Sequence, residues 1–209
     1  MLTALIAAVL FSPMTYASVE GSIGVDSDYF FRGVSQNDGE AANSVNLTVK
    51  GDGFYAGTWG SQVNVNGEAD WEFNFYAGYA LAMTDSMELD VGIIQYAFDT
   101  LHMDEQEEVY INVSSGNWNL SHFRNVDDTD LAFSQVEYRL PFISQVDVSL
   151  LYAMHSDESA AVFGKDDTDY FGMKFSKSFN NVELSAMIMD GARHGNVMDN
   201  ASVGLHYNF

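Results

Sequence analysis

Residues 71–81 read Trp-Glu-Phe-Asn-Phe-Tyr-Ala-Gly-Tyr-Ala-Leu, so Trp71, Phe73, Phe75, Ala77, Tyr79 and Leu81 alternate with Glu72, Asn74, Tyr76, Gly78 and Ala80. A period of two is the spacing of a strand with one apolar and one polar face, not of a helix. The same alternation recurs at Val45, Leu47 and Val49, at Leu89, Val91 and Ile93, and at Val109, Ile111 and Val113. It returns at Val146, Val148, Leu150 and Tyr152 and at Val182, Leu184, Ala186 and Ile188. No stretch carries the spacing of an amphipathic helix.

Working outward from these runs gives twelve strands, at 18–28, 42–50, 53–63, 71–82, 87–98, 107–115, 117–124, 131–140, 144–155, 168–178, 181–190 and 200–209. Ten is the alternative, because Asn117 to Arg124 alternates least clearly. After the first strand the connections alternate long and short: 29–41, 64–70, 99–106, 125–130, 156–167 and 191–199 are long, whereas Gly51-Asp52, 83–86, Gly116, 141–143 and the region of Asn180 are short. This is the asymmetry of an up-and-down transmembrane β-barrel, with short periplasmic turns, longer outer loops and both ends of the barrel on the inner side.

Composition narrows the function. Thirty acidic residues against eight basic ones give a net charge of −22, which excludes nucleic acid as a partner, since phosphate binding needs clustered Lys and Arg. The absence of cysteine excludes a disulfide framework and a Cys-based zinc site. With 47% hydrophobic residues the chain is too apolar to be disordered.

The N-terminal segment reads as an address. Met1 to Phe11 is apolar apart from Thr3, Ser12-Pro13 breaks the run, and Thr15-Tyr16-Ala17 offers small residues to a signal peptidase. Cleavage after Ala17 is expected, leaving 18–209 as one domain. The run is too short for a membrane helix, which needs about 20 apolar residues. A mature chain in a membrane must therefore be a closed barrel, the other structure that satisfies every backbone group in lipid.

The polar faces of the strands carry Glu20, Asp26, Asp28, Lys50, Glu72, Glu88, Asp90, Glu137, Arg139, Asp147, Lys174 and Glu183, and Arg32 follows the first strand. In a barrel these positions line the lumen and form the permeation path, with Asp26 and Asp28 the nearest partners for Arg32. A secreted acidic β-sandwich that binds a ligand would show the same alternation, because its outer face is wet. The last strand discriminates: Ala201, Val203, Leu205, Tyr207 and Phe209 alternate with polar or small residues and finish on an aromatic ring. Such a strand resembles the signal read by outer-membrane assembly machinery, with Tyr207 and Phe209 as its aromatic positions.

The run Ser27-Asp28-Tyr29-Phe30-Phe31-Arg32-Gly33-Val34-Ser35-Gln36 resembles the N-terminal signature of the TorF family of porins, the Gcw_chp-type proteins of proteobacteria. Gly53-Phe54-Tyr55-Ala56-Gly57-Thr58-Trp59, Tyr76-Ala77-Gly78-Tyr79, and Asp169-Tyr170-Phe171-Gly172 leading to Phe175-Ser176-Lys177-Ser178-Phe179 extend the resemblance. It covers nearly the whole mature chain, more loosely from Leu101 to Leu140. It implies a barrel in the bacterial outer membrane with a channel role, and supplies no catalytic residues.

Catalysis finds no motif. His102, His122, His155, His194 and His206 belong to no recognisable nucleophile or metal pattern. His102 near Asp99 and Asp104 imitates a rim protease, and His122 is the one candidate for lipid-face chemistry. The paired runs Asp127-Asp128-Thr129-Asp130 and Asp166-Asp167-Thr168-Asp169 offer hard oxygen ligands for Ca²⁺ or Mg²⁺ but lack the glycine and distal Glu of an EF-hand loop, and read first as solvated turns. No enzyme activity and no cofactor are expected. The expectation is a non-enzymatic outer-membrane porin passing small hydrophilic solutes and preferring cations, in contact with membrane lipid and the assembly machinery. Its alternative is a plugged structural or surface-binding barrel, and oligomeric state stays open.

Overall fold

A computed structural model describes residues 17–65, 67–98, 105–143, 145–162, 169–190 and 201–209. Twelve antiparallel strands close into a barrel: β1 (Ser18–Asp26), β4 (Ala42–Gly51), β5 (Phe54–Val65), β6 (Glu68–Thr84), β7 (Met87–Phe98), β8 (Gln106–Ser115), β9 (Trp118–Asn125), β10 (Ala132–Arg139), β11 (Asp147–His155), β12 (Asp169–Phe179), β13 (Val182–Met189) and β14 (Ala201–Asn208). Each strand pairs with its neighbour in sequence, and β14 closes on β1 with Ile23 opposite Tyr207. Trp118–Asn125 pairs on both sides, so the ten-strand alternative falls away, and a closed single sheet leaves no room for a two-sheet sandwich. The expected signal segment lies outside the described residues except for Ala17.

Among the described residues two elements interrupt the long connections. The first contains a small hairpin of β2 (Phe30–Phe31) and β3 (Val34–Ser35). Helix α1 (Asp157–Val162) follows β11.

Register assigns one face of every strand to the outside. The outward positions carry exposed apolar side chains, among them Val19, Ile23, Leu47, Val91, Ile111, Leu150, Leu184 and Val203. In water such a surface would drive association; in hydrocarbon it is the required solvent-facing surface. Aromatic pairs frame it at both ends. Phe54–Tyr79 at 4.6 Å and Trp118–Tyr138 at 4.5 Å sit by the short turns, and Tyr152–Phe171 at 4.7 Å and Trp71–Phe73 at 6.0 Å by the long loops. Rings at both interfaces form the girdles of a membrane barrel.

Inside, close packing against the wall demands glycine. A Cβ at Gly78 would lie 2.3 Å from the Tyr55 hydroxyl, so the ring of one strand lies across the bare backbone of the next. Asp52 and Gly53 occupy the two central positions of the β4–β5 turn with φ of 54° and 82°. Positive φ at both positions is what a two-residue hairpin loop requires.

Candidate functional site

The first long connection does not extend away from the barrel. Phe31-Arg32-Gly33-Val34 forms a tight hairpin turn with φ of 50° at Arg32 and 80° at Gly33, and the hairpin folds back into the lumen. Its base is fastened to the last strand: the Ser27 amide donates to the Val203 carbonyl at 2.9 Å, and the Ser202 hydroxyl donates to the Asp28 carbonyl at 2.7 Å.

The tip reaches across to the opposite wall. Arg32 Nη1 donates to Glu108 Oε1 at 2.8 Å and Nη2 to Glu108 Oε2 at 2.5 Å, and the Tyr96 hydroxyl donates to the same carboxylate at 2.9 Å. Three rings surround the guanidinium, Phe31 at 4.7 Å, Phe123 at 4.9 Å and Phe133 at 4.6 Å. His155 Nε2 lies 3.0 Å from the Arg32 carbonyl oxygen. Contacts to β7, β8, β9, β10 and β11 at once place Arg32 within the barrel. Below it Phe30 packs on a buried cluster of Phe133, Leu151, Ala153, Tyr170 and Met189. A fork-to-fork ion pair enclosed by aromatic faces suits arginine specifically, since a lysine has neither the two parallel donors nor the planar stacking surface.

The expected pairing of Arg32 with Asp26 or Asp28 is therefore replaced. Asp26 Oδ1 instead contacts His206 Nε2 at 3.1 Å, and Asp28 Oδ1 accepts from the Ser35 hydroxyl at 2.9 Å. Burial raises the Asp28 carboxyl above its ordinary value, and the Ser35 hydrogen bond offsets this only in part.

Register places the other named charges on the inward face with the hairpin. Lys50 meets Glu20 at 2.6 Å, Lys174 meets Glu137 at 2.8 Å, and Arg139 pairs with Asp147. Every arginine and lysine facing the lumen among the described residues is thus ion-paired with a carboxylate. Asp28, Glu72, Glu88, Asp90 and Glu183 have no arginine or lysine within ion-pair distance among those residues. A cavity of 380 Å³ runs beside the hairpin, bounded by Asp26, Asp28, Phe30, Glu137, Lys174 and Glu183.

Glu108, Tyr96 and His155 were not among the sequence-derived candidates. Alternation puts Glu108 on the polar face, but only the hairpin turn signal at Arg32-Gly33 hints that the loop returns to meet it. Residues 127–130 form a turn: the amides of Asp127 and Asp128 donate to Asn125 Oδ1 at 2.9 and 2.8 Å. Asp128 Oδ1 accepts from the Asp130 amide at 3.1 Å. Asp166 and Asp167 lie outside the described residues, as do His102 and His194, whereas the Asp169 carboxylate accepts from the Tyr152 hydroxyl at 2.9 Å. Among the described residues no three His, Asp or Glu side chains gather to hold a metal. His122 Nδ1 lies 2.9 Å from Ser134 Oγ on the outward wall, and among the described residues no carboxylate lies within 4 Å of its ring to complete a triad.

Fold and lumen together define a closed twelve-stranded antiparallel barrel with an apolar outer wall and a polar interior, the architecture of a transmembrane β-barrel. The chain belongs to the family described as "Bacterial protein of unknown function (Gcw_chp)", whose pattern matches residues 10–203. No curated protein matches it. Among solved structures it is similar to the KdgM porin, at 9% identity and a TM-score of 0.58, over 93% of this chain and 99% of that one. It is likewise similar to the KdgM porin in complex with disordered oligogalacturonate, at 6% identity and a TM-score of 0.57, over 93% and 98% of the two chains. At these identities the likeness is one of fold.

Proposed function

We propose that this protein is a narrow outer-membrane porin that conducts small hydrophilic solutes and prefers cations, its lumen constricted by the first loop. The observation that carries the reading is the imbalance of the lumen. Its basic side chains are held in ion pairs while Glu72, Glu88, Asp90 and Glu183 remain without a basic partner among the described residues. A passage of one sign bounded by low-dielectric walls concentrates counter-ions. An oligogalacturonate is a polyanion, so the ligand named for the KdgM porin is the class this lumen repels.

The remaining parts of the reading accord with it. Residues 1–17 act as an export signal, the protein resides in a Gram-negative outer membrane, and Tyr207 and Phe209 present the terminal strand to the assembly machinery. The TorF resemblance of residues 27–36 fits the same role.

The test is the reversal potential of the purified protein in a planar bilayer under a KCl gradient. Cation preference that weakens with salt is expected, because the Debye length shrinks from ~10 Å at 0.1 M to ~3 Å at 1 M. Anion preference would overturn the reading. The Arg32 clamp favours one second reading, a barrel closed by its own hairpin, which predicts no conductance in the wild type and conductance once the clamp is cut.

A further inference from the structure

A polar pair interrupts the apolar outward wall of β8 to β11. His122 and Ser134 face each other directly across β9 and β10, hydrogen-bonded at 2.9 Å. They border a groove of 310 Å³ whose outward lining includes Ile111, Leu120, Val136 and Met154. Polar side chains on a lipid-facing wall are costly, and bonding to each other reduces that cost without using every donor and acceptor the two groups possess.

One position further toward the long loops on the same face stands Arg124, exposed and with no carboxylate within 4 Å among the described residues. It is the sole arginine or lysine on the outward wall at that end among the described residues. The other outward one, Lys177, sits by the short turns over the Phe179 ring at 5.2 Å. In a chain of net charge −22, a basic side chain with no carboxylate within 4 Å among the described residues, although Glu107 lies two residues from its cross-strand partner Val109 on the same face, set above a polar pair and an apolar groove, matches an amphiphile with an anionic head and an acyl tail. The long loops face outward in transmembrane barrels, and in the outer-membrane location proposed above, on which this reading rests, the leaflet around them is built of phosphorylated, acylated glycolipid.

We propose that this wall seats one lipopolysaccharide molecule. A phosphate of its lipid A meets the Arg124 fork, an ester carbonyl or sugar hydroxyl meets the His122–Ser134 pair, and an acyl chain fills the groove below. A planar guanidinium is the side chain best matched to phosphate oxygens. The site lies on the opposite face of the wall from the lumen, so it is independent of conduction.

The folded barrel, purified in detergent, is titrated with bisphosphorylated lipid A and read by native mass spectrometry. One retained lipid per barrel is expected, weakened about tenfold by Arg124→Gln, the loss of one charge-assisted contact. The double variant His122→Leu with Ser134→Leu is expected to weaken it as well, whereas Lys177→Gln leaves it unchanged. Heat-modifiable migration on an unboiled gel establishes that each variant is a folded barrel. Equal lipid retention by wild type and Arg124→Gln, or an equal loss in Lys177→Gln, would overturn the proposal.

Discussion

Arg32 and Glu108 meet across the barrel through two parallel hydrogen bonds of 2.8 and 2.5 Å, one residue carried by an inward-folded hairpin and the other by the wall. Both side chains are nearly shut off from solvent. Removing one member of such a buried pair leaves the other charge uncompensated, at a cost of about 3–5 kcal/mol. Relaxation of the hairpin away from the wall is the response that lets water reach the stranded charge.

Arg32→Ala and Glu108→Gln are accordingly expected to raise single-channel conductance and to broaden its distribution. Replacing both residues by apolar side chains of similar volume should restore a narrow lumen, because no charge is then stranded. Recordings in planar bilayers check this, and conductance indistinguishable from wild type in both single variants would show that the hairpin does not govern the passage.

The unneutralised carboxylates should set selectivity. Asp90→Asn together with Glu183→Gln is expected to lower the cation-to-anion permeability ratio, with the larger effect at low salt, where screening is weakest. Breaking the Lys174–Glu137 pair through Lys174→Met should move the ratio the other way. Reversal potentials at two ionic strengths measure both, and a ratio unmoved by either change would relocate the selectivity to the loops.

Closure of the barrel depends on one bare backbone position. Gly21 and Phe209 exchange two backbone hydrogen bonds of 2.9 Å, and a Cβ at Gly21 would lie 2.7 Å from the Phe209 ring. Gly21→Val should displace that ring and open the β1–β14 seam, while Phe209→Ala should lose its packing without the clash. Both are expected to reduce the heat-modifiable fraction on an unboiled gel, Gly21→Val more than Phe209→Ala. The reverse order would show that the ring, not the close approach, secures the seam.

Asp128→Ala should loosen the turn between β9 and β10 by about 1 kcal/mol through loss of the hydrogen bond to the Asp130 amide. If these carboxylates act only in the turn, EDTA leaves the thermal stability of wild type and variant equally unchanged. A drop in wild-type stability on chelation would revive a cation role for them.

Alternation of side chains fixed the strands because each wall position faces either lipid or lumen, and the chain must answer at every second residue. Trp118–Asn125, the weakest run, obeys this in part: Trp118 and Leu120 outside with Asn119 and Ser121 inside follow the rule, whereas His122 and Arg124 outside and Phe123 inside depart from it. The destination of the first loop was not legible by the same logic. Arg32 and Glu108 are 76 positions apart, and nothing periodic links a loop residue to a wall residue. Composition supplied the charge imbalance of the lumen, but which acid meets which base, as when Lys174 of β12 reaches past β11 to Glu137 of β10, is visible only once the barrel is closed.

The attachment of the hairpin to β14 through Ser27, Asp28 and Ser202 has a chronological consequence. The segment follows the first strand directly, yet its base bonds to the last strand and its tip to strands in between. A barrel that zipped shut first would have to admit the hairpin afterwards through its loop-side mouth and expel the water already inside. If the hairpin is instead laid down while the sheet is still an open trough, the final seam closes over an occupied interior, and the Phe30 cluster forms as the sheet curls round it. Birth order within the barrel would then run from contents to container.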